Sequence, residues 1–393
     1  MTNGPHRAGV TGLLAACVLA VATACTAASH PAAAASSGPQ FTGRLVVESL
    51  SGEIGQLTFD AHGKAAYRRI LAAPSPQPAG SPPYVAAALS PDGTTLAYGS
   101  GKGLVLRNLE TGTDQTLTPP DTTKIACVNW APDGKHLAVG TADALYLSDA
   151  AGHMTSLYTV SSQAYTAGPV GTVGVPSYVY SSFTCGTWLN QSELVFQQSG
   201  PFPASISENS GNTLAADTTT VATLRTGAAP RTVNEPTQWS LVASCGTVAL
   251  TTDSGIGLYV VPGLTGAVTA AEATPAHAKI ADNSTTASLF RTGTCQPILI
   301  KPESNSANDE VAVIDPQTGH AGKTWHLPFA DITGSPSPGQ DQFIWGPAHT
   351  DTLADIVNMQ LTVVNLDSGT ALALDTGPWT NASLIIGWAA GSS

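Results

Sequence analysis

A repeated unit of about 40 residues constrains the fold more than any other feature of this sequence. The stretch Ala88–Gly112, ALSPDGTTLAYGSGKGLVLRNLETG, is followed by a close relative at Val128–Gly152, VNWAPDGKHLAVGTADALYLSDAAG. Asp92 and Asp133 mark the same turn in the two copies and lie 133 − 92 = 41 residues apart. A period near 40 with four short strands in each unit is typical of the blades of a β-propeller.

The Asp-Gly pairs of the two copies have a structural explanation. Each pair lies between two alternating apolar segments, where Asp can accept hydrogen bonds from backbone N–H groups and Gly can adopt a positive φ. We therefore interpret Asp92 and Asp133 as hairpin-turn residues and not as catalytic acids. Each unit is predicted to be a four-stranded antiparallel meander, whose strands we name A to D from the centre of the ring outwards.

Looser copies of the unit continue to the end of the chain. Six units begin near Tyr84, Lys124, Ser181, Gln238, Thr286 and Asp341. The segment Ser383–Ser393 resembles a strand A with nothing after it, and Arg44–Leu71 resembles strands B, C and D with no strand A. Pairing these two fragments would close the ring and remove its free sheet edges. The sequence thus predicts an all-β fold, a single propeller over residues 41–393 with seven blades, or alternatively six or eight.

The two clearest copies also resemble a known kind of repeat. Ser90–Gly112 and Ala131–Gly152 are similar to the WD40-like repeats of TolB-type propellers, in which an S-P-D-G turn, a small apolar strand and a D/N-x-x-T/A-G turn recur. The resemblance covers Tyr84–Thr159 well and the remaining blades only by their strand pattern. It implies a binding scaffold, and it transfers no catalytic residue to this chain.

The N-terminal segment has the features of an export signal. Residues 1–24 contain an uncharged run, Ala8–Ala24, that leads into the sequence ATAC with Cys25 as its last residue. Small residues before a Cys resemble the lipobox of bacterial lipoproteins, which predicts lipidation of Cys25. The same box at Cys17 would leave a very short apolar core before it. An uncleaved anchor or an ordinary cleaved signal is the alternative.

Residues 25–40 are rich in Ala, Ser and Pro and are predicted to form a flexible tether. The expected location is therefore the outer side of the cytoplasmic membrane, with a lipid as the contact to the membrane, or otherwise the exterior as a secreted protein.

Four cysteines follow the tether and permit two disulfides in an exported domain. They are Cys127, Cys185, Cys245 and Cys295. The first two each lie three residues before a Trp in neighbouring blades, and the last two fall in the first turns of the next two blades. This register suggests the pairs Cys127–Cys185 and Cys245–Cys295. Buried free thiols are the alternative.

Charge and motifs exclude several classes of function. Only 11% of residues are charged and the net charge is −12, so the chain has no basic surface for a nucleic acid. The sequence has no P-loop, no H-E-x-x-H motif, no calcium loop and no cysteine spacing typical of zinc sites. We therefore expect no cofactor, no metal and no catalytic residue.

Two long connections point to one face of the disc. In each blade the A–B and C–D turns lie on one face, and the B–C and D–A connections lie on the other. Residues 161–182 lead into blade four and residues 199–218 join its strands B and C, so both fall on the second face. Their aromatic residues are Tyr165, Tyr178, Tyr180 and Phe202. We predict that a protein or cell-envelope polymer binds there without catalysis; insertions that bind nothing are the alternative.

The competing interpretation is a propeller enzyme, a hydrolase or lyase that acts on carbohydrate or peptide in the central mouth. Glu303, Asp309 and Glu310 could supply its carboxylates, although acids in a polar loop more often face solvent. A second polar group is interpreted as ordinary solvated residues; it consists of His349, Asp351 and Asp355.

Overall fold

The structure of the chain is a computed structural model. It describes residues 41–60, 64–73, 86–118, 125–141, 144–149, 151–159, 180–183, 185–188, 193–202, 218–223, 231–233, 239–245, 248–253, 257–261, 278–282, 287–292, 294–302, 308–328, 343–347, 350–357, 360–374 and 382–390. The chain divides into two compact units, Met1–Gly38 and Pro39–Ser393, and only the second contains described residues. The predicted signal peptide, Cys25 and the tether therefore lie outside the described residues. Within these ranges every regular element is a strand, and no helix suited to crossing a membrane occurs.

The described residues contain 29 strands in seven antiparallel sheets. The first three sheets, in pairing order, are β29 (Ala382–Ala389), β1 (Arg44–Ser49), β2 (Ile54–Phe59) and β3 (Ala65–Leu71); β4 (Ala87–Leu89), β5 (Thr95–Ser100), β6 (Gly103–Asn108) and β7 (Asp114–Leu117); and β8 (Cys127–Trp130), β9 (His136–Gly140), β10 (Ala144–Asp149) and β11 (Met154–Thr159).

The fourth sheet contains β12 (Tyr180–Phe183), β14 (Glu193–Phe202), β15 (Thr218–Thr223) and β16 (Arg231–Val233), with β13 (Thr187–Trp188) also paired to β14. The last three sheets are β17 (Trp239–Cys245), β18 (Val248–Asp253), β19 (Gly257–Val261) and β20 (Ala278–Asp282); β21 (Ala287–Arg291), β22 (Gln296–Pro302), β23 (Asp309–Ile314) and β24 (Ala321–His326); and β25 (Ile344–Trp345), β26 (Thr352–Val357), β27 (Gln360–Asn365) and β28 (Thr370–Ala373).

The two ends of the chain share one sheet, as the sequence predicts. Strand β29 pairs antiparallel with β1, and Trp388 lies opposite Leu45 in the register. The last strand of the chain is therefore strand A of the sheet whose strands B to D are the first three. The edge of β1 that the N-terminal fragment alone would leave open is thus covered by the closing strand.

The first strands of the sheets lie next to one another in a ring. Strand β29 contacts β4, β4 contacts β8, β13 contacts β17, β17 contacts β21, β21 contacts β25, and β25 contacts β29. The remaining neighbours, β8 and the segment before β13, are joined by a disulfide between Cys127 and Cys185. This order of strands A, with strands B to D stacked outwards in each sheet, is the arrangement of a β-propeller.

Packing between neighbouring sheets provides the core. Leu45 and Val47 on β1 are fully buried against Ala354 and Ile356 on β26, in a cluster that also contains Trp388. Alternate residues of a strand leave opposite faces of its sheet, and on β1 Leu45 and Val47 belong to this cluster whereas Val46 belongs to a second one with Leu96 and Leu109. For the first sheet, the described core therefore lies between it and both of its neighbours.

Indole groups on strand A add hydrogen bonds between neighbouring sheets. Trp130 Nε1 donates to the carbonyl oxygen of Ala88 at 3.1 Å, and Trp188 Nε1 donates to the carbonyl oxygen of Asn129 at 3.3 Å. Each bond therefore runs from one strand A to the backbone of the strand A before it. The two tryptophans occupy equivalent positions in the sequence, and each forms the same hydrogen bond between neighbouring sheets.

The Asp-Gly pairs form hairpin turns, which confirms the structural interpretation of both aspartates. Asp92 Oδ1 accepts hydrogen bonds from Ser90 Oγ at 2.6 Å and from the Thr94 backbone N–H at 2.9 Å. Gly93 has a φ of +72°, and the equivalent Gly134 has a φ of +66°. The side chains of Asp92 and Asp133 each form hydrogen bonds within their own turn and do not come together at a common site.

Candidate functional site

The structure brings together two of the four aromatic residues predicted to bind a partner. Tyr180 is the first residue of β12 and Phe202 is the last residue of β14, and the two lie directly opposite each other in the antiparallel register. Directly opposed residues occupy the same face of a strand pair. Tyr165 and Tyr178 lie outside the described residues. The sequence assigned Tyr180 and Phe202 to two separate connections, whereas the structure places them on the strands from which those connections depart.

Strand β14 is longer than the sheet around it. Strand β15 pairs with β14 only as far as Gln198, whereas β12 pairs with β14 as far as Phe202. Within the described residues, 199–202 therefore pair with β12 alone. We name this two-stranded extension, residues 180–183 and 198–202, the blade-four ribbon. Because it contains the start of strand A and the end of strand B, it lies on the face of the B–C and D–A connections.

The base of the ribbon is fixed to the preceding sheet. Cys127 at the start of β8 forms a disulfide with Cys185, two residues after β12, with a Cα–Cα distance of 5.6 Å. Asn129 Nδ2 donates to the carbonyl oxygen of Gly186 at 2.6 Å. Together with the bond from Trp188 to Asn129, three interactions tie β8 to residues 185–188. The segment that follows β12 is therefore held to β8 by one covalent bond and two hydrogen bonds.

Gly140 provides the space for this disulfide. A Cβ atom at Gly140 would lie 2.5 Å from Cys127 Sγ and 3.2 Å from Cys185 Sγ. Cys185 is buried, with 6% of its surface exposed. The disulfide is therefore part of the core between the third and fourth sheets.

Sequence reasoning missed the role of Asn129. The signal was present, because Asn129 is the polar residue of the otherwise apolar strand CVNW. A buried or half-buried amide in such a strand needs a hydrogen-bond partner. The partner, Gly186, could not be identified from the sequence since it lies 57 residues further along the chain.

A second disulfide lies toward the opposite face. Cys245, the last residue of β17, is bonded to Cys295 in the turn after β21, with a Cα–Cα distance of 5.1 Å. Both cysteines lie where strand A ends and the A–B turn begins. Cys295 has a φ of +52°, in the left-handed region that side chains other than Gly rarely adopt. The two pairs are those that the cysteine register suggests, and each joins neighbouring strands A.

The acids considered for an enzyme site do not converge. Asp309 is buried, with 1% of its surface exposed, and Glu310 forms an ion pair with Lys301 at 3.0 Å. Consecutive residues of a strand lie on opposite faces of the sheet, so Asp309 and Glu310 are separated by β23 itself. The expectation that these loop acids face solvent is wrong for Asp309, because β23 begins at that residue. Glu303 lies outside the described residues.

Asp351 and Asp355 are also not solvated surface residues, contrary to the sequence interpretation. The side chain of Asp351 is 10% exposed and bonds both Arg291 Nη2 and Lys323 Nζ, and Asp355 on β26 is fully buried. His349 lies outside the described residues. The sequence could not indicate these environments because the partners of Asp351 come from another sheet.

Asp351 belongs to a charged network between the sixth and seventh sheets, on the face of the A–B and C–D turns. Lys323 Nζ lies 3.0 Å from Asp351 Oδ2 and 2.8 Å from Asp367 Oδ1. Trp325 Nε1 also donates to Asp367 Oδ1, at 3.0 Å. The hydrogen bonds from Lys323 and then from Trp325 lower the pKa of Asp367. Opposite charges balance within this network, so it joins two sheets and offers no unbalanced charge to a ligand.

No metal centre is found in the part of the chain that the structure describes: no group of three or more His, Cys, Asp or Glu side chains there is arranged to hold an ion. Because the blade-four ribbon lies on the face of the B–C and D–A connections, it is the feature of the described residues that best matches the predicted binding face.

Comparisons with known proteins give similarity in fold. No protein-family model and no curated protein sequence matches the chain. Among solved structures, an oligogalacturonate lyase in complex with manganese has 12% identity and a TM-score of 0.50, covering 84% of this chain and 85% of its own. A functionally unknown protein from Desulfotomaculum acetoxidans DSM 771 has 11% identity and a TM-score of 0.51, covering 89% of this chain and 100% of its own.

A third structure, the Cps50 (Swd1) β-propeller domain of Myceliophteria thermophila, has 12% identity and a TM-score of 0.45, covering 75% of this chain and 86% of its own. With TM-scores of 0.50 and 0.51, the first two structures show similarity of fold, and at identities this low they say nothing about a shared activity. The strand order, the closure by β29 and the ring of strands A lead to the same result: the chain has a β-propeller fold.

Proposed function

We propose that this chain is a seven-bladed propeller, tethered outside the cytoplasmic membrane, that binds a protein or cell-envelope polymer on its blade-four face without catalysis. The seven sheets of the described residues correspond to the seven blades of this proposal. The blade-four ribbon is the observation that supports the binding face most directly. It extends beyond its own sheet, on the side where the two longest connections of the blade depart, and it is anchored to the preceding blade by a disulfide.

A rigid base with long connections above it is a common arrangement for binding, because the scaffold positions loops whose sequence is free to fit a partner. The anchoring by Cys127–Cys185 and Asn129 supplies such a base. By contrast, the described acids considered for an enzyme site, Asp309, Glu310, Asp351 and Asp355, are engaged in ion pairs or buried between sheets, which weighs against the hydrolase or lyase alternative.

Membrane tethering is supported by the N-terminal sequence and is consistent with the disulfides, which persist in oxidising compartments outside the cytoplasm. Lipidation of Cys25 is the proposed anchor, and residues 25–40 are the proposed spacer. The net charge of −12 supports the proposal that no nucleic acid is a partner.

The binding face is tested by affinity capture from envelope extract. The mature domain, residues 41–393, is compared with a copy in which the connections 161–179 and 203–217 are shortened. A copy with a shortened 262–277 connection, which joins strands C and D of blade five, is the matched control. We expect one partner to be captured by the domain and by the control copy and to be lost from the blade-four copy. Equal capture by all three copies would contradict the proposed face.

The anchor is tested by fractionation of cells that express the full chain. We expect Cys25→Ser to move the protein from the detergent-soluble membrane fraction to the soluble extracytoplasmic fraction. Cys17→Ser is the matched control and should leave the protein in the membrane fraction. A membrane-bound Cys25→Ser protein would favour an uncleaved anchor over lipidation.

A further inference from the structure

The chain enters the propeller on the face of the A–B and C–D turns. Strand β1 is preceded by residues 41–43, and β29 ends beside them at Ala389. A Cβ atom at Gly43 would lie 2.4 Å from the carbonyl oxygen of Ala389 and 2.9 Å from Cγ of Pro347, in the A–B turn of blade seven. A Cβ atom at Gly93, in the A–B turn of blade two, would lie 2.8 Å from Cβ of Ala389. The entry point therefore lies among the A–B turns of neighbouring blades.

The entry point is also fixed by packing. Phe41 is 2% exposed and belongs to the cluster between the seventh and first blades, where its ring centroid lies 5.7 Å from that of Phe59. Trp388 Nε1 donates a hydrogen bond to the carbonyl oxygen of Thr42 at 2.9 Å. Any segment that precedes Phe41 therefore starts from this face of the propeller.

The proposed binding face is the opposite one, because the blade-four ribbon lies on the face of the B–C and D–A connections. We propose that the face of the A–B and C–D turns is the membrane-facing side of the anchored protein, and that the binding face is directed away from the membrane. This inference rests on the proposed anchor at Cys25 and adds the direction from which a partner approaches. The partner is then a molecule on the far side of the propeller from the lipid.

The length of the proposed spacer supports this orientation. Residues 25–40 number 40 − 25 + 1 = 16, and a flexible chain of this length has an end-to-end distance of about 20–24 Å on average. A domain the size of residues 41–393 has a radius of gyration of about 20 Å. To bring the binding face to the membrane, the spacer would have to pass from the entry point around the rim of the propeller. That path demands far more than its average length, and stretching a chain costs conformational entropy.

The entry face offers little that would bind lipid by itself. In the part of the chain that the structure describes, the exposed large hydrophobic side chains are Leu50, in the B–C turn of blade one, and Tyr67, on its outer strand. The turns of the entry face carry exposed acids between their lysines, among them Asp92, Glu110 and Asp367. Anionic lipids are attracted by clusters of Lys and Arg. The anchor, and not adsorption of the surface, therefore imposes the orientation.

The orientation is tested by energy transfer from a fluorophore on the full lipidated chain to acceptor-labelled headgroups in phosphatidylcholine vesicles. Thr111→Cys places the fluorophore on the C–D turn of blade two, and Lys102→Cys places it on the B–C turn of the same blade; both positions are exposed. We expect about twofold or greater transfer from position 111, because the depth of the domain separates the two positions. Equal transfer, or greater transfer from position 102, would overturn the proposal.

Failure of the anchor and failure of the orientation are distinguishable. Cys25→Ser should lose transfer from both positions together with its association with the vesicles. If this variant stays on the membrane, the lipid anchor of the proposed function is wrong, whereas unequal transfer still supports the orientation. Residues 41–393 alone should not float with the vesicles, and vesicle binding by this domain would overturn an orientation imposed by the anchor.

A circular permutant supplies the reverse experiment. Because residues 43 and 389 are in contact, the two ends of the domain can be joined by a short linker. New ends between Leu50 and Ser51, both exposed in the B–C turn of blade one, attach the leader and spacer to the binding face. We expect this permutant to give greater transfer from position 102 than from position 111. Thermal unfolding checks its fold, and a folded permutant that keeps the original ratio would overturn the proposal.

Discussion

At the scale of single residues, Gly140 shows how one missing side chain permits a covalent link between blades. Its Cα faces the two sulfur atoms of the Cys127–Cys185 disulfide, at a distance that leaves no space for a Cβ. Interiors are packed at crystal-like density, so added atoms at such a position force neighbouring groups apart.

We therefore expect Gly140→Ala to lower the free energy of unfolding by about 1–3 kcal/mol. Gly101→Ala is the matched control, because a Cβ at Gly101 would have no neighbouring atom within 4 Å and the substitution should be nearly neutral. Urea denaturation of both variants measures the difference. Equal stabilities for the two variants would show that the disulfide can move aside without cost.

Asp92 makes a residue-scale prediction about pH. Burial raises its pKa, but hydrogen bonds from Ser90 and from Thr94 outweigh this effect, so its pKa lies below the ordinary value. A carboxyl group whose pKa is lower in the folded state stabilises the fold above its unfolded pKa of about 3.9, and the contribution is lost as the pH falls through the folded pKa.

Asp92→Asn keeps the shape of the side chain and removes the charge. Because Asp92 is exposed and solvent screens its charge, we expect the variant to lower the free energy of unfolding by less than about 1 kcal/mol at neutral pH and to differ little from the wild type well below pH ~4. Denaturation at a series of pH values measures this convergence. A difference that persists in acid would assign the effect to packing in the turn and not to the carboxylate.

At the scale of elements, much of the propeller could be predicted because each strand repeats a local pattern. The six predicted units begin within three residues of β4, β8, β12, β17, β21 and β25. Alternation and turn residues are local properties, so they survive even where the repeat is loose. The equivalence of Trp130 and Trp188 also suggested that the cysteines three residues before them, Cys127 and Cys185, form a disulfide.

Contacts between elements could not be predicted in the same way. The extension of β14 beyond β15 depends on which strand each residue meets, and sequence periodicity carries no such information. The charged network of Asp351 likewise joins residues from four elements, β21, β24, the turn before β26 and the turn after β27. Such partners are set by how neighbouring blades pack.

Burial decides which member of that network contributes most. The side chain of Asp351 is 10% exposed and meets both Arg291 and Lys323, whereas that of Asp367 is 60% exposed. We expect Asp351→Asn to lower the free energy of unfolding by about 1–3 kcal/mol and Asp367→Asn by less than about 1 kcal/mol. High salt should diminish the second effect more than the first. Thermal denaturation at two salt concentrations compares them, and a larger effect for Asp367→Asn would contradict the ranking.

At the scale of the whole molecule, stability depends on closure of the ring. Strand β29 supplies Ile385 and Trp388 to the cluster between the seventh and first blades, and its loss would expose β1 as an edge. Because the cluster between these two blades includes β29 itself, an open ring leaves the facing sides of both blades unprotected.

We expect removal of Ser383–Ser393 to unfold the domain. The strand pairing of β1 and the cluster around Trp388 are lost together in this variant. Removal of Gly391–Ser393 alone is the matched control, since β29 ends at Ala389 and should remain. Circular dichroism and resistance to limited proteolysis report the outcome. A cooperative, protease-resistant truncated domain would contradict the role given to β29.

The position of the closing strand also has a consequence for biogenesis. Because a chain is synthesised from its N-terminus, β1, β2 and β3 are made before β29, with more than 300 residues between β1 and β29. The first blade therefore stays incomplete until β29 has been synthesised. During that interval its open edge is available to chaperones, proteases or another copy of the chain. A chain that ends before β29 therefore cannot complete its first sheet, because it lacks the strand that covers the edge of β1.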